Sequence, residues 1–110
     1  MDQQLQIAKD ALLEKKAIDV IVMDLRGISG VTDYFLIGSG ANQVQVRAIT
    51  DNITDRMREA GCILPAKEGY HEGRWILLDY GNLIVHVMQP TERDFYALEN
   101  LWHDAKVLSI

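Results

Sequence analysis

The sequence lacks the features that form disulfides, cysteine-based metal cages or membrane spans. Its single cysteine, Cys62, excludes an internal disulfide and a cysteine-based zinc site. No segment approaches the roughly 18 apolar residues of a membrane span. The start, Met1–Gln4, lacks the basic-then-apolar pattern of a secretory signal. We therefore expect a single domain over residues 1–110, located in the cytoplasm and stabilised by an ordinary apolar core.

Positive charge is also scarce. Against 16 acidic residues the chain has 11 lysines and arginines, which gives a net charge of −5, and residues 68–110 carry −4 of it. Acidic surfaces repel phosphate backbones, whereas basic ones attract them. Direct binding of RNA or DNA is therefore not expected.

Motifs for catalysis or cofactor binding are missing or incomplete. Gly38-Ser39-Gly40 precedes a predicted helix, where backbone amides can hold phosphate, but the longer glycine fingerprints of nucleotide sites are absent. A turn-and-cap role is favoured there. The three histidines have no metal-ligand spacing. No cofactor or metal is expected, although a nucleotide-dependent enzyme that uses Gly38–Gly40, Asp24 and Asp79 stays open as an alternative.

Residues 73–88 predict a two-stranded hairpin. Gly81-Asn82 suits a two-residue type II′ turn, and the flanking segments are rich in β-branched and aromatic residues. Placing Tyr80 opposite Leu83 fixes the register. The expected pairs are Asp79 with Ile84, Leu77 with His86, and Trp75 with Met88.

Side chains alternate between the two faces of such a hairpin. The core face contains Ile76, Leu78, Tyr80, Leu83, Val85 and Val87. The second face contains Trp75, Leu77, Asp79, Ile84, His86 and Met88. Because the second face mixes large apolar groups with the only carboxylate and imidazole of the hairpin, it is more typical of a recognition surface. The alternative is a sheet buried on both sides, with Asp79 and His86 paired at its rim.

The remaining pattern predicts an α/β fold with a mixed sheet and the order αββαβββα. The long helix through Val46 and Met57 is expected to end at Gly61, and a last helix is expected to be capped by Thr91 and to present Phe95, Leu98, Leu101 and Trp102. The other predicted elements are a helix at Gln4–Lys15 and strands at Ile18–Leu25, Tyr34–Gly38 and Ile63–Lys67. Pro65 favours an edge position for the third of these strands.

Several blocks together resemble the ribosomal silencing factor family, also called Iojap-like proteins. The blocks are Asp33–Gly40, Val46–Asn52, Glu68–Pro90 and Leu98–Ala105, and the likeness as a whole extends over nearly the whole chain. The most specific parts are Gly73–Met88 and the Leu-Trp-x-Asp-Ala ending. The resemblance implies a fold related to nucleotidyltransferases without their catalytic carboxylates. That implication agrees with the sequence around Asp79, whose alternate strand neighbours, Leu77 and Gly81, supply no second carboxylate for a metal ion.

The resemblance further implies a non-enzymatic function in translation regulation. Members of the family dock on the large ribosomal subunit through its ribosomal protein number fourteen, and they sterically prevent the small subunit from joining when nutrients are scarce. The implied docking positions on the sheet are Trp75, Leu77, Asp79, Tyr80 and His86. The register argument adds Ile84 and Met88 to this partner-binding set. The resemblance also allows a homodimer of the free protein through the same surface, and the sequence leaves monomer and homodimer both open.

Overall fold

The described part of the chain contains three helices and six strands. A computed structural model describes residues 2–28, 30, 32–96 and 106–108. The helices are α1 (Gln3–Glu14), α2 (Gln43–Glu59) and α3 (Pro90–Tyr96), and the strands are β1 (Ile18–Asp24), β2 (Tyr34–Ser39), β3 (Ala66–Glu68), β4 (Trp75–Asp79), β5 (Leu83–Met88) and β6 (Lys106–Leu108). The predicted order αββαβββα is confirmed. The short strand β6, which follows α3, was not predicted.

The strands form one mixed sheet in the order β3-β4-β5-β2-β1-β6. Its central pair, β2 with β5, is parallel, and every other neighbouring pair is antiparallel. Parallel strands need a long crossover, and α2 with the β3–β4 region supplies it. The sheet thus places the predicted hairpin, β4–β5, beside the first hairpin, β1–β2.

The predicted hairpin register is confirmed. The Tyr80 N–H donates to the Leu83 carbonyl at 2.9 Å, which closes the two-residue loop. Gly81 has a φ of +93°, as the first position of a type II′ turn requires. The observed pairs are Trp75 with Met88, Leu77 with His86, and Asp79 with Ile84.

Each face of the sheet buries its own apolar cluster. The helices α1 and α2 contribute Leu5, Leu12, Ile49 and Ile53 to the first cluster. All six residues of the predicted core face belong to it: Ile76, Leu78, Tyr80, Leu83, Val85 and Val87. The cluster on the opposite face contains Met23, Leu25, Phe35, Ile37, Ile84 and Met88, with Trp75 and Leu77 packed against it.

The ends of α2 follow from its sequence. The Asn42 side chain accepts a hydrogen bond from the Gln45 N–H at 2.9 Å, and the Gln45 side chain accepts one from the Ala41 N–H at 2.7 Å. At the other end Gly61 has a φ of +83°, and the Cys62 N–H reaches the Met57 carbonyl at 3.0 Å. This is the Schellman arrangement for which glycine is favoured, and it confirms the predicted helix end.

The predicted starts of the third strand and of the last helix were wrong. The third strand begins at Ala66, after Pro65, because proline has no N–H for the ladder, and Ile63 and Leu64 are left exposed. The last helix begins at Pro90, one residue before Thr91, and the Arg93 N–H donates to the Gln89 carbonyl at 3.0 Å. Proline suits a first helical position, where its missing N–H costs nothing. Leu98, Leu101 and Trp102 lie outside the described residues.

Candidate functional site

The second face of the hairpin is accessible only along β4. Trp75, Leu77 and Asp79 are half-buried there, whereas Ile84, His86 and Met88 on β5 are buried. The expectation that all six residues form an exposed recognition surface was therefore wrong for β5. Ile84 and Met88 pack in the apolar cluster that includes Phe35 and Ile37 of β2, and His86 lies against the Phe35 ring and the Trp75 indole. The candidate surface is reduced to β4 and the loop before it.

Tyr80 lies apart from the other predicted docking residues. It packs in the cluster beneath α1 and α2, and only 5% of it is exposed. Burial raises the pKa of its phenol to about 12, with the nearby Cys62 as a lesser cause. The structure therefore brings together Trp75, Leu77 and Asp79 on β4 but places Tyr80 on the opposite face.

His86 holds the Trp75 side chain in place through a hydrogen bond. The indole Nε1–H of Trp75 donates to His86 Nδ1 at 3.0 Å, and the Phe35 ring meets the imidazole edge-on with centroids 4.6 Å apart. Because Nδ1 accepts this hydrogen bond, the neutral ring carries its proton on Nε2. Burial lowers the pKa of His86 to about 4, so the ring is uncharged near neutral pH. The imidazole thus fixes the orientation of the tryptophan without adding charge.

Asp79 does not pair with His86, contrary to the alternative of a rim pair. Its Oδ1 accepts a hydrogen bond from the Gly81 N–H at 2.8 Å, which braces the hairpin turn. Aspartate commonly closes turns through such a bond to the residue two positions on. The carboxylate remains half-exposed at the end of β4 and can accept hydrogen bonds from an incoming cation.

A groove runs along the exposed side of Trp75. One part has a volume of about 310 Å³ and is lined by Gly69, Glu72, Arg74, Trp75 and Glu92. An adjoining part of about 250 Å³ is lined by Glu68, Gly69, Trp75 and Leu77. We call the two parts together the Trp75 groove. Its three glutamates were not predicted as site residues, and the pattern gave no signal beyond the acidic bias of residues 68–110.

The Gly38-Ser39-Gly40 segment serves structure, as its predicted turn-and-cap role requires. The Gly40 N–H donates to the Met88 carbonyl at 3.0 Å, and the following amide of Ala41 is bound by Gln45. Ser39 is buried and its hydroxyl accepts from the Arg93 guanidinium at 3.0 Å. The amides of Gly40 and Ala41 are therefore engaged within the chain, as is the Ser39 hydroxyl.

The carboxylates of the enzyme alternative are far apart. Asp24 lies on β1 and Asp79 on β4, three strand spacings away, or about 14 Å. The two residues also point to opposite faces, because Asp24 aligns with Tyr34 and Leu83, whereas Asp79 aligns with Ile84. Asp24 instead forms an ion pair with Arg26 at 2.8 Å. One metal ion cannot be held by both carboxylates in this fold.

In the part of the chain that the structure describes, no group of three or more metal-ligating side chains is close enough to hold a metal ion. Over the same residues, no helix combines the length and the apolar character that crossing a membrane requires.

Comparison with known proteins gives consistent matches over the whole chain. The family model described as "Ribosomal silencing factor during starvation" matches residues 1–110. A relative named ribosomal silencing factor from Bacillus subtilis is 43% identical over 106 residues, which is 96% of this chain and 90% of that protein. A crystal structure of a Chromobacterium violaceum protein superposes with a TM-score of 0.90 at 31% identity, covering 94% of this chain and 88% of that one. A second crystal structure, from Bacillus halodurans, gives a TM-score of 0.85 at 38% identity and covers 96% of both chains.

Proposed function

The chain belongs to the ribosomal silencing factor family, and from that premise we propose that it represses translation by docking on the large ribosomal subunit and blocking the small one. The family description and the names of the relatives support a ribosome-associated silencing role that is regulatory rather than enzymatic. The proposed site of action is the cytoplasm. The proposed contact is the large-subunit ribosomal protein number fourteen.

The observation that carries the proposal is the chemistry of β4 and its groove. Trp75 and Leu77 offer large, half-exposed apolar side chains, and interface energy concentrates in such anchors. Glu68, Glu72 and Glu92 line the groove beside them and outnumber its positively charged residue, Arg74. Asp79 adds a carboxylate at the end of β4. Ribosomal proteins are rich in lysine and arginine because they bind RNA. An apolar strip with an acidic border therefore suits a basic protein partner.

Steric blocking requires bulk at the contact between the subunits. The protein measures 35 × 34 × 23 Å, which is far thicker than a layer of interfacial water. A rigid body of this size on the joining face keeps opposed surfaces from meeting. No catalytic step is required of it.

Ribosome sedimentation tests the proposal. The protein is mixed with isolated large subunits, small subunits are added, and the mixture is separated on a sucrose gradient. We expect the protein to migrate with the large subunit and the joined-ribosome peak to shrink. Absence of the protein from the large-subunit fraction would contradict the proposal.

Truncation of the β4 anchors tests the location of the contact. We expect Trp75→Ala and Asp79→Ala each to weaken binding to the large subunit at least about tenfold, with roughly thirtyfold for the tryptophan, because losses at interface anchors commonly reach about 2 kcal/mol. Binding of the Asp79 variant is expected to depend less on salt. Dissociation constants measured at two salt concentrations check both statements.

Two variants on α1 serve as matched controls. Leu13→Ala truncates an exposed apolar residue, and Asp10→Ala removes one exposed carboxylate, both from α1. Each control is expected to stay within about twofold of the parent. Thermal melts of all variants separate loss of contact from loss of folding. Parental affinity of both β4 variants would show that docking uses another surface.

We further propose that the free protein forms a homodimer through the same surface. A self-complementary apolar patch readily forms a twofold pair. The groove glutamates of two copies repel each other at close range, so this dimer is expected to be weak and to give way to a basic partner. Sedimentation equilibrium over a range of protein concentrations measures it.

Nucleotide binding tests the alternative of a nucleotide-dependent enzyme. Because Asp24 and Asp79 cannot share a metal ion, we expect no tight binding of nucleoside triphosphates in the presence of magnesium. Calorimetry with each triphosphate checks this. Saturable micromolar binding that disappears in Asp79→Asn would overturn the expectation and favour a nucleotide-dependent enzyme.

A further inference from the structure

The loop between β3 and β4 has an unusual number of its carbonyls bound by side chains of other elements. We call residues 69–74 the β3–β4 loop. The Arg47 guanidinium on α2 donates from Nε to the Tyr70 carbonyl at 3.1 Å and from a terminal nitrogen to the next carbonyl, that of His71. Gln43, one turn earlier on α2, donates to the Glu72 carbonyl at 2.8 Å. Loop carbonyls are usually left to water, since loops lie on the surface.

A third residue continues the same series. Gln89, between β5 and α3, donates from its side chain to the Gly73 carbonyl at 3.0 Å and from its backbone to the Arg74 carbonyl at 2.8 Å. Five consecutive carbonyls, from Tyr70 to Arg74, are thus bound by three residues. A loop tied in this way from two sides has little freedom to shift.

The opposite side of this loop forms the walls of the Trp75 groove. Gly69, Glu72 and Arg74 line the groove, and Trp75 follows directly. Gly69 lies so close to the Trp75 carbonyl that a Cβ on it would approach that oxygen to 2.1 Å. A Cβ on Gly73 would likewise come within 2.5 Å of the Gln43 side chain. The position of α2 is therefore transmitted through the loop to the tryptophan.

Tyr70 adds a second link between the loop and α2. Its hydroxyl donates to the Asp51 carboxylate at 3.0 Å. The centroid of its ring lies 5.9 Å from Arg47 Cζ and 4.4 Å from Lys67 Nζ. Arginine suits position 47 because its planar guanidinium can bind two adjacent carbonyls at once, here those of Tyr70 and His71. A lysine ammonium cannot match this geometry.

We propose that Arg47 and Gln43 are positioning residues for docking on the large subunit, acting through the β3–β4 loop on Trp75 and Glu72. The inference rests on the proposed function. Neither side chain has to touch the partner. By holding the loop in its bound form before contact, they remove part of the entropy lost when an interface is ordered.

The test uses Arg47→Lys, which keeps the charge but loses the two-carbonyl fork. We expect its affinity for isolated large subunits to fall at least fivefold, and the amides of residues 69–76 to exchange with solvent faster. The matched control is Arg56→Lys on the same helix, whose guanidinium binds Glu14 and Glu59 away from the loop. The control is expected to stay within twofold of the parent.

A double variant separates positioning from general destabilisation. If Arg47 acts through Trp75, the effect of Arg47→Lys on affinity shrinks to less than twofold when Trp75→Ala is already present. An unchanged effect in that background would overturn the inference, as would parental affinity of Arg47→Lys alone while Trp75→Ala is weakened. Failure of the parent protein to bind large subunits is a different result, which overturns the proposed function and this inference with it.

Discussion

Replacing Leu78 with alanine is expected to lower the free energy of unfolding by about 2–5 kcal/mol, the usual range for deleting a fully buried leucine side chain. Leu78 has no exposed surface and lies in the cluster beneath α1 and α2, where neighbours on several elements would have to move to fill the cavity. Chemical denaturation measures the change. Val85→Ala, in the same cluster, is expected to cost somewhat less.

The adjacent residue provides the control. Leu77 is the next leucine on β4 and points to the second face, where it is half-buried. Its truncation leaves a smaller cavity, so Leu77→Ala is expected to cost less than about 1.5 kcal/mol. Equal losses for the two variants would mean that the faces of the hairpin are not distinguished as the structure has them.

Acidification is expected to destabilise the fold through His86. The pKa of this histidine is lowered to about 4 in the folded protein, compared with about 6.5 in an unfolded chain. The unfolded state therefore takes up a proton first as pH falls. The contribution of His86 to stability is complete above about pH 6.5 and is lost progressively towards pH 4, to a total of about 3 kcal/mol.

A non-titrating variant isolates this effect from the carboxylates, which also take up protons in acid. His86→Gln retains an acceptor for the Trp75 indole but has no pKa in this range. Denaturation curves at pH 7 and pH 5 are expected to show the parent losing about 2 kcal/mol more than the variant. The same loss in both proteins would contradict a buried neutral imidazole.

The sequence predicted local structure best where few residue types can adopt the required backbone conformation. Gly81 accommodates the positive φ of a type II′ turn, and this fixed the register of β4 with β5. Gly61 likewise marked the end of α2. Pro65 was placed correctly near a sheet edge but wrongly inside the strand, because the apolar pair Ile63 and Leu64 suggested burial that does not occur.

The candidate site was less predictable because it depends on long-range packing. Alternation correctly placed His86 on the second face, but its burial comes from contacts with Phe35 on β2, which lies far away in the sequence, and with Trp75 on β4. The resemblance grouped Tyr80 with the docking residues, although the hairpin pattern itself assigned it to the core face. Arg47 meets the loop carbonyls 23 and 24 residues away, and no local pattern signals such a contact.

The parallel pairing of β2 with β5 has a consequence for synthesis of the chain. All six residues of β2, Tyr34–Ser39, are buried in the finished sheet, and β1 can pair with only one of its edges. The other edge stays unpaired until β5 has been synthesised. Leu83, the first residue of β5, emerges from the exit tunnel about 2–9 s after Ser39, the last residue of β2, at ordinary elongation rates of roughly 5–20 residues per second. During that interval the nascent chain presents an unpaired apolar strand, the type of surface that chaperones bind and that promotes aggregation.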